Sequence, residues 1–98
     1  MREKEIEAKL RTAVKALGGL CLKWESPGYT GVPDRMILLP GGRIFFVELK
    51  APGKKERPRQ VVVQQILTRL GFTVFSSVDS LGKVRAIIDQ CREATADG

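Results

Sequence analysis

Apolar residues recur every three or four positions in three stretches of the chain, and this spacing predicts three helices. The predicted helices cover residues 2–17, residues 59–70 and a segment that begins at Asp79 or Ser80. The first ends at a Gly-Gly pair, and the second follows a proline, which suits a first helical turn. Residues 93–98 are expected to fray at the end of the third.

Four shorter apolar runs predict strands at residues 20–24, 34–40, 43–50 and 72–78. The runs MILL and IFFV are nearly continuous, as expected for central strands that are covered on both faces. A helix between the third and fourth strands implies a crossover, so this pair is expected to be parallel. The predicted fold class is α/β, with the order α-β-β-β-α-β-α and a mixed sheet flanked by helices, in a single domain over residues 1–98.

Composition limits the kind of protein and the chemistry it can use. The apolar and charged fractions, 43% and 29%, are those of an ordinary soluble protein, and no apolar run approaches the roughly 20 residues of a membrane span. The charged start, MREKEIEAKL, has no signal-peptide pattern, so a cytoplasmic location is expected. Histidine is absent, which excludes histidine-activated nucleophiles and histidine-zinc sites. The two cysteines, Cys21 and Cys91, lack metal-site spacing and are interpreted as free thiols.

The charge distribution indicates a polyanionic partner. The net charge is +6, and phosphate neutralisation by basic side chains favours nucleic-acid binding. Residues 51–60, APGKKERPRQ, carry four basic side chains against one acid, Glu56. These candidate DNA contacts are Lys54, Lys55, Arg57 and Arg59. A solvated loop without a partner is the alternative interpretation.

Three charged residues, Asp34, Glu48 and Lys50, stand at the ends of strongly apolar runs. Glu48 and Lys50 are two apart on a strand and therefore share a face of the sheet. A three-residue turn over residues 40–42 would set Asp34 opposite Glu48, with a glycine in the left-handed conformation. A two-residue turn at the glycines would instead aim the two carboxylates apart.

Two neighbouring carboxylates repel unless a cation lies between them, and magnesium prefers oxygen ligands. A bound metal lowers the pKa of water, and Lys50 beside it would stabilise a developing oxyanion. The trio therefore predicts hydrolysis of a phosphodiester. The alternative is structural, with Asp34 closing a turn and Glu48 in a strand-end ion pair with Lys50 or Arg35.

A Pro-Asp pair, thirteen further residues and then Glu-Leu-Lys match the PD-(D/E)XK nuclease pattern. The longer string GGLCLKWESPGYTGVPDRMILLPGGRIFFVELKAPGKKERPRQ resembles the VRR-NUC family, in the compact stand-alone form of phage and bacterial genomes. The resemblance covers nearly the whole chain and implies a restriction-endonuclease-like core. It also implies DNA cleavage that depends on magnesium, with manganese as a substitute. By position, Asp34 and Glu48 resemble the metal-binding acids, Leu49 supplies a backbone carbonyl ligand and Lys50 resembles the catalytic lysine.

The resemblance implies further site residues on the helices. Gln60 matches the glutamine that opens the second core helix of the family. A glutamate of the first helix completes the site, and we choose Glu7 over Glu3 because Leu10 and Val14 flank it on the apolar face; an ordinary solvated acid is the alternative. Arg35 is expected to contact a phosphate, or else to form a surface ion pair.

Stand-alone family members resemble structure-specific nucleases, including Holliday-junction resolvases. Paired nicks in a junction suit a twofold dimer. The leading hypothesis is a magnesium-dependent endonuclease acting as a homodimer on branched or flapped DNA in replication, repair or recombination, without a membrane partner or an organic cofactor. The alternatives are a non-specific or nicking nuclease and a non-catalytic nucleic-acid-binding module.

Overall fold

The computed structural model describes residues 1–96 and contains three helices and four strands. The helices are α1 (Glu3–Ala16), α2 (Pro58–Arg69) and α3 (Leu81–Ala96). The strands are β1 (Leu20–Lys23), β2 (Arg35–Leu39), β3 (Arg43–Leu49) and β4 (Thr73–Val78). Their order along the chain confirms the predicted one. Among the described residues, no helix combines the length and the apolar character needed to cross a membrane.

The four strands form one mixed sheet in the order β1-β2-β3-β4. β2 pairs antiparallel with both β1 and β3, and β3 pairs parallel with β4. The parallel pair confirms the crossover predicted through α2. β2 and β3 are the central strands, as their continuous apolar runs predict.

A three-residue loop, residues 40–42, joins β2 to β3. The antiparallel pairing sets Arg35 opposite Val47 and continues in step to the loop. Both glycines of the loop have positive φ angles, 86° and 78°, which glycine adopts without the steric cost that a side chain brings. If the same pairing continues one residue before Arg35, Asp34 lies opposite Glu48, as the three-residue turn predicts.

Helices cover both faces of the sheet. α1 and α3 pack together on one face, over a core that includes Ile37, Val47 and Val78 from the strands. α2 packs on the other face, where Val63 and Leu67 meet Phe46. Because side chains alternate along a strand, Asp34 and Glu48 lie on the α2 face, whereas Arg35 and Val47 lie on the α1/α3 face.

The prediction that residues 93–98 fray is wrong for residues 93–96, because α3 continues to Ala96. Cys91 is fully buried and Ala94 packs against the same core, so tertiary packing supports the last helical turns. Residues 97–98 lie outside the described residues. At the other end of α3, Ser80 Oγ accepts a hydrogen bond from the backbone N–H of Lys83 at 3.2 Å, so Ser80 is the cap.

Candidate active site

Glu48, one residue before the end of β3, is a fully buried carboxylate with 0% exposure. Its Oε2 atom accepts a hydrogen bond from Gln60 Nε2 at 2.6 Å and lies 3.0 Å from Lys50 Nζ. Its other oxygen, Oε1, is buried without a hydrogen-bond partner within residues 1–96. A buried polar atom without a partner is costly, so this position favours a cation or a donor from outside the chain.

Asp34 faces Glu48 from the position before β2, and its Oδ2 atom accepts a hydrogen bond from the backbone N–H of Leu49 at 2.8 Å. The β2–β3 ladder ends at Arg35, so this carboxylate takes over an amide that the ladder leaves unpaired. The N–H and C=O groups of one strand residue point to the same side. The carbonyl of Leu49 is therefore directed toward Asp34 as well.

The two carboxylates are electrostatically coupled. Burial, and after it the nearby Asp34 carboxylate, raises the pKa of Glu48 to about 7, against the opposing effect of Lys50. Burial also raises the pKa of Asp34, although the Leu49 amide and Lys50 oppose the shift. A cation between two facing acids with raised pKa values removes the electrostatic cost of ionising both.

Gln60 connects Glu48 and Lys50 from the first turn of α2. Its Oε1 atom accepts hydrogen bonds from Lys50 Nζ at 2.9 Å and from the backbone N–H of Arg57 at 2.8 Å. Its Nε2 atom donates to Glu48. The side-chain amide thus fixes the acid and the lysine relative to each other, and the structure brings together Asp34, Glu48, Lys50 and Gln60.

A cavity of about 220 Å³ borders Asp34 on its α1 side. It is lined by Glu3, Glu7, Lys23, Asp34, Arg35 and Leu49. Within it, Glu7 forms an ion pair with Arg35, and the Glu7 carboxylate contributes to the raised pKa of Asp34. Both candidate acids of the first helix therefore border Asp34. The carboxylate of Glu7 is engaged by a guanidinium group, and its role as a metal ligand stays a prediction.

Arg35 lies apart from the basic loop, on the other face of the sheet. Its side chain is 11% exposed, and Nη1 also donates to the carbonyl of Cys21 at 3.4 Å. The ion pair that was the alternative for Arg35 is present, and it is largely buried. A phosphate contact by Arg35 stays a prediction.

The basic loop is exposed but anchored. The side chains of Lys54, Lys55, Arg57 and Arg59 are all exposed. Glu56 Oε1 accepts hydrogen bonds from the backbone N–H of Ser77 at 2.8 Å and from Ser77 Oγ at 3.0 Å. The single acid of the basic segment therefore attaches the loop to β4. This role of Glu56 was not predicted from the sequence, where the only signal is one acid in an otherwise basic run.

The oxygen donors of the site suit magnesium, which seldom takes all of its ligands from the protein. Over residues 1–96, no three His, Cys, Asp or Glu side chains are grouped so as to hold a metal ion. Magnesium commonly takes one or two carboxylates and completes its shell with water and phosphate oxygens. Asp34, Glu48 and the carbonyl of Leu49 fit that pattern, and Oε1 of Glu48, which has no partner in the described part of the chain, is a candidate ligand.

Comparisons with known proteins agree with this geometry. No family model matches the chain. A solved structure described as a VRR_NUC domain superposes with a TM-score of 0.81 and 33% sequence identity, over 89% of this chain and 94% of that one. The chain belongs to the VRR-NUC family of nucleases.

A curated relative of this VRR-NUC chain comes from Acyrthosiphon pisum secondary endosymbiont phage 1 and is named "Putative nuclease p44". The two are 47% identical over 74 residues, which is 76% of this chain and 80% of that protein. The resemblance to the VRR-NUC family inferred from the sequence is confirmed, and with it the nuclease class of the protein.

Proposed function

We propose that this VRR-NUC nuclease is a magnesium-dependent endodeoxyribonuclease. The observation that carries the proposal is the buried Glu48, which faces Asp34 and lies 3.0 Å from Lys50. One of its oxygens has no hydrogen-bond partner among the 96 residues that the structure describes. Burying Glu48 beside a second, half-buried acid destabilises a fold unless positive charge compensates both carboxylates. The Glu48–Lys50 ion pair engages only Oε2 of Glu48 and supplies one positive charge beside two acids.

Different residues of the chain would bind the metal ion and stabilise the reacting phosphate. When bound, magnesium supplies a Lewis acid that lowers the pKa of water and offsets the charge of the phosphate. Asp34, Glu48 and the Leu49 carbonyl would hold the ion. Lys50, with 15% of its side chain exposed, presents its ammonium group to the reacting phosphate and stabilises the negative charge that develops there.

DNA is the proposed substrate because the exposed basic loop continues directly from the Glu-Leu-Lys segment. Its four basic side chains suit contacts to the phosphate backbone, which position a duplex without reading its sequence. The phage origin of the curated relative supports a bacterial cytoplasm as the place of action.

We also propose that the substrate is branched DNA and that the active form is a homodimer. Paired nicks across a Holliday junction require two sites related by a twofold axis. Leu20, Leu22 and Ile44 are 57%, 40% and 39% exposed, on the sheet face beside the open edge of β1. A second copy over these side chains would remove apolar surface from water.

A cleavage assay tests the proposal. Labelled four-way junction, flap and linear duplex are incubated with magnesium, manganese or EDTA. The native protein and Lys4→Ala, which removes an exposed lysine of α1, should cut in either metal, whereas Lys50→Ala should not. Cutting in EDTA would refute metal dependence, and equal cutting of the duplex would refute structure preference.

Light scattering tests the dimer with the same samples. The native protein should elute as a dimer, and Leu22→Glu should shift it to the monomer mass while leaving helical content unchanged. A monomeric native protein that nicks the junction on one strand only would refute the homodimer. Binding without cutting in both metals would indicate a nucleic-acid-binding module.

A further inference from the structure

Tyr29 lies in the loop between β1 and Asp34 and takes no part in the proposed hydrolysis. The residue is 44% exposed, and the guanidinium carbon of Arg59 lies 4.8 Å from the centroid of its ring. Arg59 Nε also donates a hydrogen bond to the carbonyl of Thr30 at 3.2 Å. A cation–π contact and a hydrogen bond thus hold the ring against the first turn of α2.

The loop approaches α2 closely at Gly31. A Cβ atom at this position would lie 2.7 Å from Arg59 Cγ and 2.9 Å from the Arg59 carbonyl oxygen. The φ angle of Gly31 is 88°, so a side chain would also strain the backbone. Pro33, two residues later, is fully buried and leads directly into Asp34. The backbone that carries Tyr29 is therefore anchored against α2 and leads directly to Asp34.

The Tyr29–Arg59 pair stands beside the proposed reaction centre. Arg59 precedes Gln60, whose amide contacts both Glu48 and Lys50. Consecutive Cα atoms are only about 3.8 Å apart, so the pair lies at the same end of the sheet as the acids. An exposed aromatic ring backed by a guanidinium group, next to a phosphate-processing centre, has the form of a base-stacking platform.

We propose that Tyr29 and Arg59 form a stacking subsite for an unpaired nucleobase of the DNA substrate. The inference rests on the proposed endonuclease function and defines its substrate class further. Every base has a π-face, so stacking on tyrosine tolerates any sequence. A base inside a duplex is already stacked on its neighbours, so the subsite favours DNA with an unpaired nucleotide at the branch. The exposed guanidinium group of Arg59 would bind the adjacent phosphate as a second contact.

Binding by the Lys50→Ala variant, which we expect not to cleave DNA, tests the subsite. The probes are a flap with 2-aminopurine as the unpaired branch nucleotide and a fully paired duplex of the same length. We expect binding to quench 2-aminopurine by stacking. Tyr29→Ala should remove the quenching and weaken flap binding about tenfold, with little change for the duplex. Tyr29→Phe should keep both properties, and Tyr29→Leu, which retains bulk without a π-system, should behave like alanine.

Phe72→Ala is the matched control, because Phe72 is 40% exposed and precedes β4 at the opposite end of the sheet. Absence of quenching with the parent protein overturns the subsite. Equal weakening of flap and duplex by Tyr29→Ala, or a phenylalanine variant as weak as alanine, overturns it as well. Cleavage by the protein with intact Lys50 is measured in parallel, so that a failed nuclease proposal is told apart from a failed subsite.

Discussion

The backbone amide of Leu49 donates a hydrogen bond to the carboxylate of Asp34 at 2.8 Å. This contact joins the last residue of β3 to the residue that precedes β2. One side chain therefore both closes the sheet end and forms half of the acidic pair. Its two roles can be separated by substitution.

Asp34→Asn should abolish cleavage while it preserves the fold. Asparagine keeps an oxygen that accepts the Leu49 hydrogen bond but lacks the charge that a metal ion requires. We expect cleavage to fall by more than about 100-fold. Asp34→Ala removes the acceptor too and should lower the free energy of unfolding by about 1–3 kcal/mol. Single-turnover rates and urea unfolding measure the two effects, and an asparagine variant as unstable as alanine would contradict the separation.

Gln60→Ala should reduce cleavage without removing any metal ligand or the lysine. The amide of Gln60 bridges Glu48 and Lys50, so both would lose their fixed orientation. Residues that orient metal ligands typically contribute 10–100-fold to activity, and we expect a loss within about that range. Gln65→Ala is the control, because Gln65 is exposed on the same helix. Equal rates for the two variants would exclude a positioning role for Gln60.

The buried Glu48 should make the metal-free protein less stable as the pH rises. Its pKa is about 7 in the folded state against 4.5 for an unperturbed glutamate, so the folded state holds the proton more tightly. Well below pH 4.5 the Glu48 carboxyl is protonated in both the folded and the unfolded state, so it does not lower stability. From there to about pH 7 the unfolded chain loses its proton first, so stability falls, by roughly 3 kcal/mol in total. The raised pKa of Asp34 acts in the same direction.

Urea unfolding in EDTA at about pH 5 and pH 8 measures this dependence. Glu48→Gln carries no titrating carboxyl and should flatten the difference between the two pH values. Magnesium should restore more stability at the higher pH, because it binds the ionised acids of the folded state. A native protein that is more stable in EDTA at the higher pH would refute the raised pKa of Glu48.

Glu56→Ala should weaken DNA binding although it makes the protein more basic. Loss of the hydrogen bonds to Ser77 frees the basic loop from β4, and ordering the loop on DNA then costs conformational entropy. Glu93→Ala makes the same change in charge at an exposed position of α3. Anisotropy titrations should show weaker binding for the Glu56 variant and unchanged or tighter binding for the control. Tighter binding by both would mean that charge alone decides affinity.

The acidic pair was predictable because hairpin register follows from loop length and from the glycines that the turn requires. The Glu7–Arg35 and Glu56–Ser77 contacts were not, because they join segments 28 and 21 residues apart whose approach depends on tertiary packing. The end of α3 was mispredicted for the same reason, since burial of Cys91 and packing of Ala94 outweigh a polar local sequence. The support of Tyr29 by Arg59 likewise depends on how the loop meets α2.

The four residues that meet at the sheet end, Asp34, Glu48, Lys50 and Gln60, all lie between residues 34 and 60. One hairpin, one loop and the first turn of one helix carry them. The proposed chemistry is therefore encoded in a single continuous segment of the chain. We expect the flanking elements to tolerate extensive substitution, provided that they retain an apolar pattern able to cover both faces of the hairpin.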